Sequence, residues 1–428
     1  MTDHITEVML ENGMTVHLKE IHTAPIISHW VWYRVGSRYE TQGKTGISHW
    51  VEHMQFKGTP LFPAGILDRA ISRDGGFWNA FTYMDWTTFF ETMPASKIDL
   101  ALKLEADRMV NSRYDAEEVA SERTVVISER EGSENEPLFR LEEAVEAAAF
   151  EQHPYRNEVI GSIADLNAIQ RDDLYDHYRK YYNPSNAVLA IAGDFDTPAM
   201  LNRIREVYGK IPGYPVEPLV LAREALPKAE KRIEVRGPGE TTFLDLAYRA
   251  PAASEPEFFV LSVLDSLLTG PSSLNMFGGG GISNKTSRLY RALIEKELAI
   301  SVSGGLQATL DPYVYTITIT GRPDVEPEKV FARVDEEIAR LQEEKVTQEE
   351  IDRAVKQARA LFAYGSENIT NQAFWLGYTE MFDHYSWFSE YVKRLQAVTP
   401  EMVLQAARTI LNRSSRVMGI YIPEGSES

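Results

Sequence analysis

Past residue 230 the order of this sequence starts over. Tyr33-Arg34 returns as Tyr248-Arg249 at an offset of 215, Leu67-Asp68-Arg69-Ala70 is echoed by Leu289-Tyr290-Arg291-Ala292 at 222, and Gly-Ser-Glu-Asn stands at 132 and again at 365, an offset of 233. One such match is chance, but three in the same order with slowly growing offsets are what a duplicated domain with small insertions leaves behind. Between the copies, residues 211–228 hold four prolines and little hydrophobic period, the composition of a linker. The predicted organisation is a domain over 1–210, a linker over 211–230 and a homologous domain over 231–428. A chain of 428 residues is long enough for two packed units of about 100–200 residues each.

Within the first copy the hydrophobic period switches between two and 3.6. Alternating and β-branched segments around a turn at Asn12-Gly13, then Met14 to Leu18, Ile26 to Val35, Phe77 to Tyr83, Trp86 to Met93 and Asn186 to Ala192, predict strands. Helical spacing covers Gly46 to Phe56, Ala64 to Asp74, Lys97 to Asn111, Ala116 to Glu131, Pro137 to Glu151 and a run from Arg171 towards Tyr182. The fold class is α+β, two homologous halves, each a mainly antiparallel sheet flanked by helices.

Composition narrows the chemistry. The chain has no cysteine, which excludes disulfides, thiolate metal sites and a cysteine nucleophile and leaves His, Asp and Glu as the metal ligands. Its 63 acidic against 44 basic residues, a formal charge of -19, repel phosphate backbones, so nucleic acid is not an expected partner. No stretch approaches the ~18 unbroken apolar residues of a membrane span, and the first residues are acidic where a targeting peptide needs bases. A cytoplasmic protein away from membranes is the expectation.

Against that background His49-Trp50-Val51-Glu52-His53 stands out. Side chains at i and i+4 share one helix face, so both imidazoles can reach one ion at about 2.0–2.1 Å. Glu52, one position before the second histidine, is placed to touch the water on such an ion, where a general base belongs. Catalytic zinc takes a third protein ligand. Glu122 and Glu129 lie seven residues apart, two turns along one face of the predicted helix Ala116 to Glu131, and spacing leaves open which of them it is.

The segment from Gly46 through His49-Trp50-Val51-Glu52-His53 to Phe56-Lys57-Gly58-Thr59 resembles the active-site helix of the pitrilysin/insulinase (M16) family of zinc peptidases, the inverzincins, whose ligand order is His-x-x-Glu-His. Further landmarks are Arg34 to Glu40, Asn79-Ala80-Phe81-Thr82, Glu122-Arg123 through Glu129, His153-Pro154-Tyr155, Tyr181 to Asn186 and Gly193-Asp194. In length and duplication the chain is similar to the short M16 subunits found in bacterial peptidases, the mitochondrial processing peptidase and the respiratory-complex core proteins. The resemblance implies the fold of that metallohydrolase group and one Zn2+ per chain held by His49, His53 and Glu129. It also implies Glu122 as the residue orienting a ligand histidine and Glu52 as the base that activates the zinc-bound water. Peptide substrates would lie extended along Asn79, Ala80, Phe81 and Thr82, adding a strand through main-chain hydrogen bonds, which favours short or unfolded peptides of broad sequence.

The resemblance fails at one place. Self-sufficient members contribute an Arg and, further on, a Tyr from the second half to grip substrate, and here Ile294 and Ile300 stand at those positions. The implied arrangement is a heterodimer with a homologous subunit that supplies the Arg and Tyr, with a homodimer using Arg288 or Arg291 as the alternative. A non-catalytic, core-type structural subunit is the competing functional reading, and a zinc hydrolase of non-peptide substrates a third. Gly278 to Thr286 approximates a phosphate loop, but Asn284 replaces its second glycine, so a flexible loop before a helix over Thr286 to Lys296 is expected instead. Phe374, Trp375, Tyr378 and Phe382 at helical spacing are expected in the core, and His153 and His177 in structural roles.

Overall fold

The computed structural model describes residues 5–274 and 283–425, and only the backbone of residues 67 and 68. The chain is α+β, with two mixed, mainly antiparallel sheets flanked by helices. The first half runs β1 (Ile5–Met9), β2 (Thr15–Glu20), β3 (Ile26–Tyr33), α1 (Ile47–Met54), α2 (Ile66–Arg73), β4 (Phe77–Thr82), β5 (Thr87–Pro94), α3 (Ile98–Asn111), α4 (Ala116–Ser133), α5 (Pro137–Ala149), α6 (Ile163–Ala168), α7 (Arg171–Tyr181), β6 (Ala187–Gly193) and α8 (Thr197–Val207). The second runs β7 (Lys231–Pro238), β8 (Phe243–Arg249), α9 (Pro256–Leu268), a π-helical turn (Tyr290–Ile294), β9 (Ala299–Leu306), β10 (Val314–Gly321), α10 (Pro327–Glu343), α11 (Gln348–Tyr364), α12 (Ile369–Tyr378), α13 (Ser386–Gln396), α14 (Pro400–Ile410) and β11 (Val417–Glu424).

Among the described residues the first sheet has the order β1-β2-β6-β3-β5-β4 and the second β7-β11-β8-β10-β9. With β1 set aside, the two are the same sheet. β2 is parallel to β6 as β7 is to β11, and every other neighbouring pair is antiparallel. Tyr33 ends β3 and Tyr248-Arg249 ends β8, at equivalent places in this shared order. The aromatic and β-branched Ile-Ile-Ser-His-Trp-Val-Trp-Tyr of β3 is buried on both faces, as a central strand between two helical layers must be.

The compact units are interleaved along the chain. One comprises the residues up to Arg130, Asn157–Val220 and Ser366–Phe388; the other comprises Glu131–Arg156, Leu221–Gly365 and the residues from Ser389 on. Thus α5, from the first half of the sequence, packs on β7, β8 and β11, while α12, from the second half, packs on β3 and β6. The two exchanged helices are counterparts, because each follows a Gly-Ser-Glu-Asn string, at 132 and at 365. Each is also admitted by a missing side chain. A Cβ on Gly419 of β11 would lie 2.4 Å from Val145 of α5, and a Cβ on Gly377 of α12 would lie 2.1 Å from the Trp32 indole nitrogen. Trp30 and Trp32, both fully buried, each sit 5.5 Å from the ring of Phe374, so the aromatic stripe of α12 is core, covering the first sheet.

The segment before β9 is shorter than its helical spacing suggests. The π-helical turn ends at Ile294 and the chain reverses through Glu297, at φ 55°, with the Leu298 N–H donating to the Leu293 carbonyl at 2.8 Å. The glycines of the phosphate-loop-like string, 278–281, lie outside the described residues. Asn284 donates its side-chain amide to the Val302 carbonyl at 3.2 Å, a packing role. No helix among the described residues is long and apolar enough to cross a membrane.

Candidate metal centre

The two histidines are placed by the way α1 starts. Gly46 caps it at φ 86°, and a Cβ there would fall 2.3 Å from the Ile160 carbonyl, so only glycine fits. The Glu40 carboxylate closes the helix start, accepting from the Gly46 N–H at 2.8 Å and the Ser48 N–H at 2.9 Å. A carboxylate at this end also complements the helix dipole. Burial nonetheless pushes the Glu40 carboxyl up to about 7. On the flank of α1, Ser48 Oγ lies 3.2 Å from His177 Nε2, so His177 braces the helix. His153 instead meets Asp311 at 3.1 Å within the other unit. At the far end the Gln55 amide donates to Tyr114 at 2.9 Å and accepts from Ser112 at 2.6 Å.

One turn apart on α1, the His49 and His53 rings lie 4.6 Å apart. The Glu129 carboxylate from α4 faces both, with its oxygens 3.8 Å from His49 Nε2 and 3.5 Å from His53 Nε2. Two ligands about 2.0–2.1 Å from one tetrahedral ion are separated by roughly 3.4 Å, so these three side chains suit a single zinc. They are the only group of His and carboxylate donors among the described residues whose atoms all lie within 4.8 Å of one another. Glu122, two turns before Glu129, does not join them. Its Oε1 is 2.8 Å from His53 Nδ1, on the opposite side of the ring, and its other oxygen pairs with Lys57. The pair holds His53 as the tautomer whose Nε2 is free to bind a metal.

The electrostatics separate the two imidazoles. Burial, and then the charge of His53, push His49 down to about 3, which keeps it neutral. His53 is raised against the pull of burial by its hydrogen bond to Glu122 and by the nearby carboxylates. Burial pushes Glu52 up to about 7, although the Thr82 hydroxyl, donating to Glu52 Oε2 at 2.7 Å, favours the ionised form.

Thr82 ends β4, the edge strand of the first sheet. Ala80 and Thr82 alternate with Asn79 and Phe81, whose Phe81 ring stacks on Phe90 at 6.3 Å. Asn79 Oδ1 accepts from the Ala80 N–H at 2.9 Å. In the second half Ile300 lies on β9 and is 57% exposed, and Ile294 closes the π-helical turn. Arg288 is held by Glu350 at 2.9 Å, whereas Arg291 is exposed. Glu40, Lys57 and His177 are parts of the site that spacing along the chain did not reveal. Only Glu40, an acid shortly before a helix start, leaves a local trace.

The model described as "Insulinase (Peptidase family M16)" matches residues 15–162, and "Peptidase M16 inactive domain" matches 168–358. An uncharacterized zinc protease of Mycobacterium leprae is 29% identical over 424 residues, spanning 95% of this chain and 89% of that protein. Zinc protease PqqE of Helicobacter pylori is 27% identical over 372 residues, 86% of this chain and 81% of that one. The probable mitochondrial-processing peptidase subunit beta of Arabidopsis thaliana is 26% identical over 296 residues, 68% and 55% respectively. The crystal structure of a protease from Helicobacter pylori shares the fold, at a TM-score of 0.89 and 24% identity over 98% of this chain and 100% of that one.

Proposed function

Since this chain belongs to peptidase family M16, we propose that it is the zinc-bearing subunit of an endopeptidase acting on short or unfolded peptides. One observation carries the proposal: Glu129 comes from a separate helix to face the Nε2 atoms of both His49 and His53, with Glu52 one residue before His53. His49, His53 and Glu129 would hold one zinc. Bound there, zinc supplies a Lewis acid for the scissile carbonyl and makes water acidic enough to attack near neutral pH.

The chain's own residues do the rest. Glu52 takes the proton of the attacking water and hands it to the leaving amine, as a general base and then a general acid within reach of the reacting atoms. Thr82 holds Oε2 of that carboxylate and leaves Oε1 for the proton. Glu122 and Lys57 keep His53 in orientation. The edge strand β4, over Asn79, Ala80, Phe81 and Thr82, offers main-chain donors and acceptors to an extended peptide, which gives affinity with little side-chain selection. Ile294 and Ile300 offer no polar grip on the peptide, so a homologous partner chain supplies an Arg and a Tyr.

Metal analysis of the purified chain, together with Glu52→Gln, tests the chemistry. Zinc near one per chain, retained in Glu52→Gln while peptidase activity is lost, is the expected result; wild-type protein without zinc overturns it. Full peptidase activity of the isolated chain would overturn the partner requirement alone.

A further inference from the structure

The second unit holds a cavity of about 230 Å³ between α5 and the strands β8, β9 and β10, and its walls are acidic. Asp245 of β8 lines it, fully buried. One oxygen of Asp245 accepts from the Thr318 hydroxyl at 3.1 Å, while Oδ2 has no hydrogen-bond partner. Glu142 and Glu146, one turn apart on α5, line the same space, and no basic side chain does. Ser303, which is exposed, marks its mouth. Gly305 keeps it open, because a Cβ there would fall 2.4 Å from Thr316 Oγ1.

The fold does not require an acid at this place. Asp245 pairs with Gly419 and Thr318 as Trp30 of the first sheet pairs with Ala190 and Phe90. There the duplicated architecture buries an indole against Phe374 of α12. A buried carboxylate whose charge is only partly satisfied by hydrogen bonds costs several kcal/mol, so replacing that apolar contact with Asp245 lowers stability unless something cationic or a proton arrives. Burial, with the charge of Glu142 nearby, pushes the Asp245 carboxyl up to about 7, which leaves it balanced between the two near neutral pH.

We propose that Asp245, Glu142 and Glu146, with the hydroxyls of Ser303, Thr316 and Thr318, form a binding pocket for a guanidinium or alkylammonium group. The acceptors line the walls of a space several times the ~30 Å³ that one water occupies in the liquid. The three carboxylates do not converge on a point, since the only group of three His or carboxylate ligand atoms within 4.8 Å of one another among the described residues is that of His49, His53 and Glu129. Dispersed acceptors suit the planar fork of N–H donors on a guanidinium and not a directly ligated metal ion. The pocket consists wholly of residues of the second unit, and the proposal stands whether or not the metal centre is catalytic.

Calorimetric titration of the Glu52→Gln chain, chosen because the function proposed above leaves it unable to consume the peptide probes, tests it. The probes are agmatine, as a free guanidinium, and acetyl-Gly-Arg-Gly-amide beside its citrulline analogue, which has the same shape without the charge. The expected result is saturable binding at one site, weakened at least about tenfold by Asp245→Asn and by Glu142→Gln, and absent for the citrulline peptide. Tighter binding of agmatine identifies a free cation as the ligand, and tighter binding of the arginyl peptide identifies a side chain. Each variant's fold is checked by urea denaturation, and Glu142→Gln alone decides if Asp245→Asn does not fold. No saturable binding of either probe up to about 10 mM, equal binding in the variants, or displacement of agmatine by stoichiometric Mg2+ overturns the proposal.

Discussion

Glu122→Gln tests whether the carboxylate behind His53 governs the metal centre without being a ligand. The Glu122 carboxylate is 6% exposed, accepts from His53 Nδ1 at 2.8 Å and is itself paired with Lys57. A hydrogen bond to a charged group in so shielded a setting is worth about 1.5–3 kcal/mol. Glutamine keeps the shape but loses the charge, and its amide can turn an N–H towards Nδ1, which favours the wrong tautomer of His53. The expected loss is 10–100-fold in zinc affinity, or about 1.4–2.7 kcal/mol. Lys57→Met, which removes a more exposed partner one step further out, is expected to cost less. The assay is competition between metal-free protein and a chromophoric zinc chelator near neutral pH, with His53→Ala as the variant that loses the metal. Zinc affinity of Glu122→Gln within about twofold of wild type would refute the reasoning, as would a larger loss in Lys57→Met than in Glu122→Gln.

Three further outcomes are expected. His29 is held down to about 4, chiefly by burial, against an ordinary value of 6.5. The folded state therefore resists a proton that the unfolded chain accepts, and stability present above about pH 6.5 is lost as the pH falls towards 4, by about 3 kcal/mol in full. Urea midpoints across that range should show the loss and His29→Gln should flatten it; an unchanged slope in the variant counts against the assignment. Trp30→Ala removes a fully buried indole stacked 4.0 Å from Phe90 and should cost about 3–5 kcal/mol in urea unfolding, with a cost under about 1 kcal/mol contradicting its place in the core. Gly46→Ala forces a Cβ to within 2.3 Å of the Ile160 carbonyl at a positive φ, so both the melting temperature and zinc binding should fall, and unaltered zinc binding would mean that this cap does not position α1.

Much of the candidate site was legible because it is local. The i, i+4 spacing of His49 and His53 needs only a helix to bring two imidazoles to one face, and the helix could be read from its own period. Glu122 and Glu129 were equally legible as two acids on one face of α4, but spacing did not distinguish them, and only the resemblance to the M16 peptidases implied Glu129 as the ligand. Which of them meets Nε2 and which meets Nδ1 depends on how α4 lies against α1, and no spacing within α4 encodes that. The same limit hid the role of Lys57, whose partner is 65 positions away in the sequence, and the bond from Thr82 to Glu52, which forms only because β4 packs beside α1. The β9 approach was misjudged for a related reason, since helical spacing continues past Ile294 while the backbone turns at Glu297 to enter the sheet.

The duplication shows where the two kinds of information divide. Recurrent strings and alternating periods, read from the sequence alone, determined that this chain forms α+β halves built on one plan, because strand and helix periods are written in adjacent residues. They could not assign α5 and α12 to their sheets. Each helix is contiguous in sequence with one half, yet buries its apolar stripe on the sheet of the other, where Gly419 and Gly377 leave room for it. Only the tertiary structure decided that exchange, because burial rewards whichever apolar surface a helix can reach, and the connecting chain after each Gly-Ser-Glu-Asn string does not prescribe which surface that is.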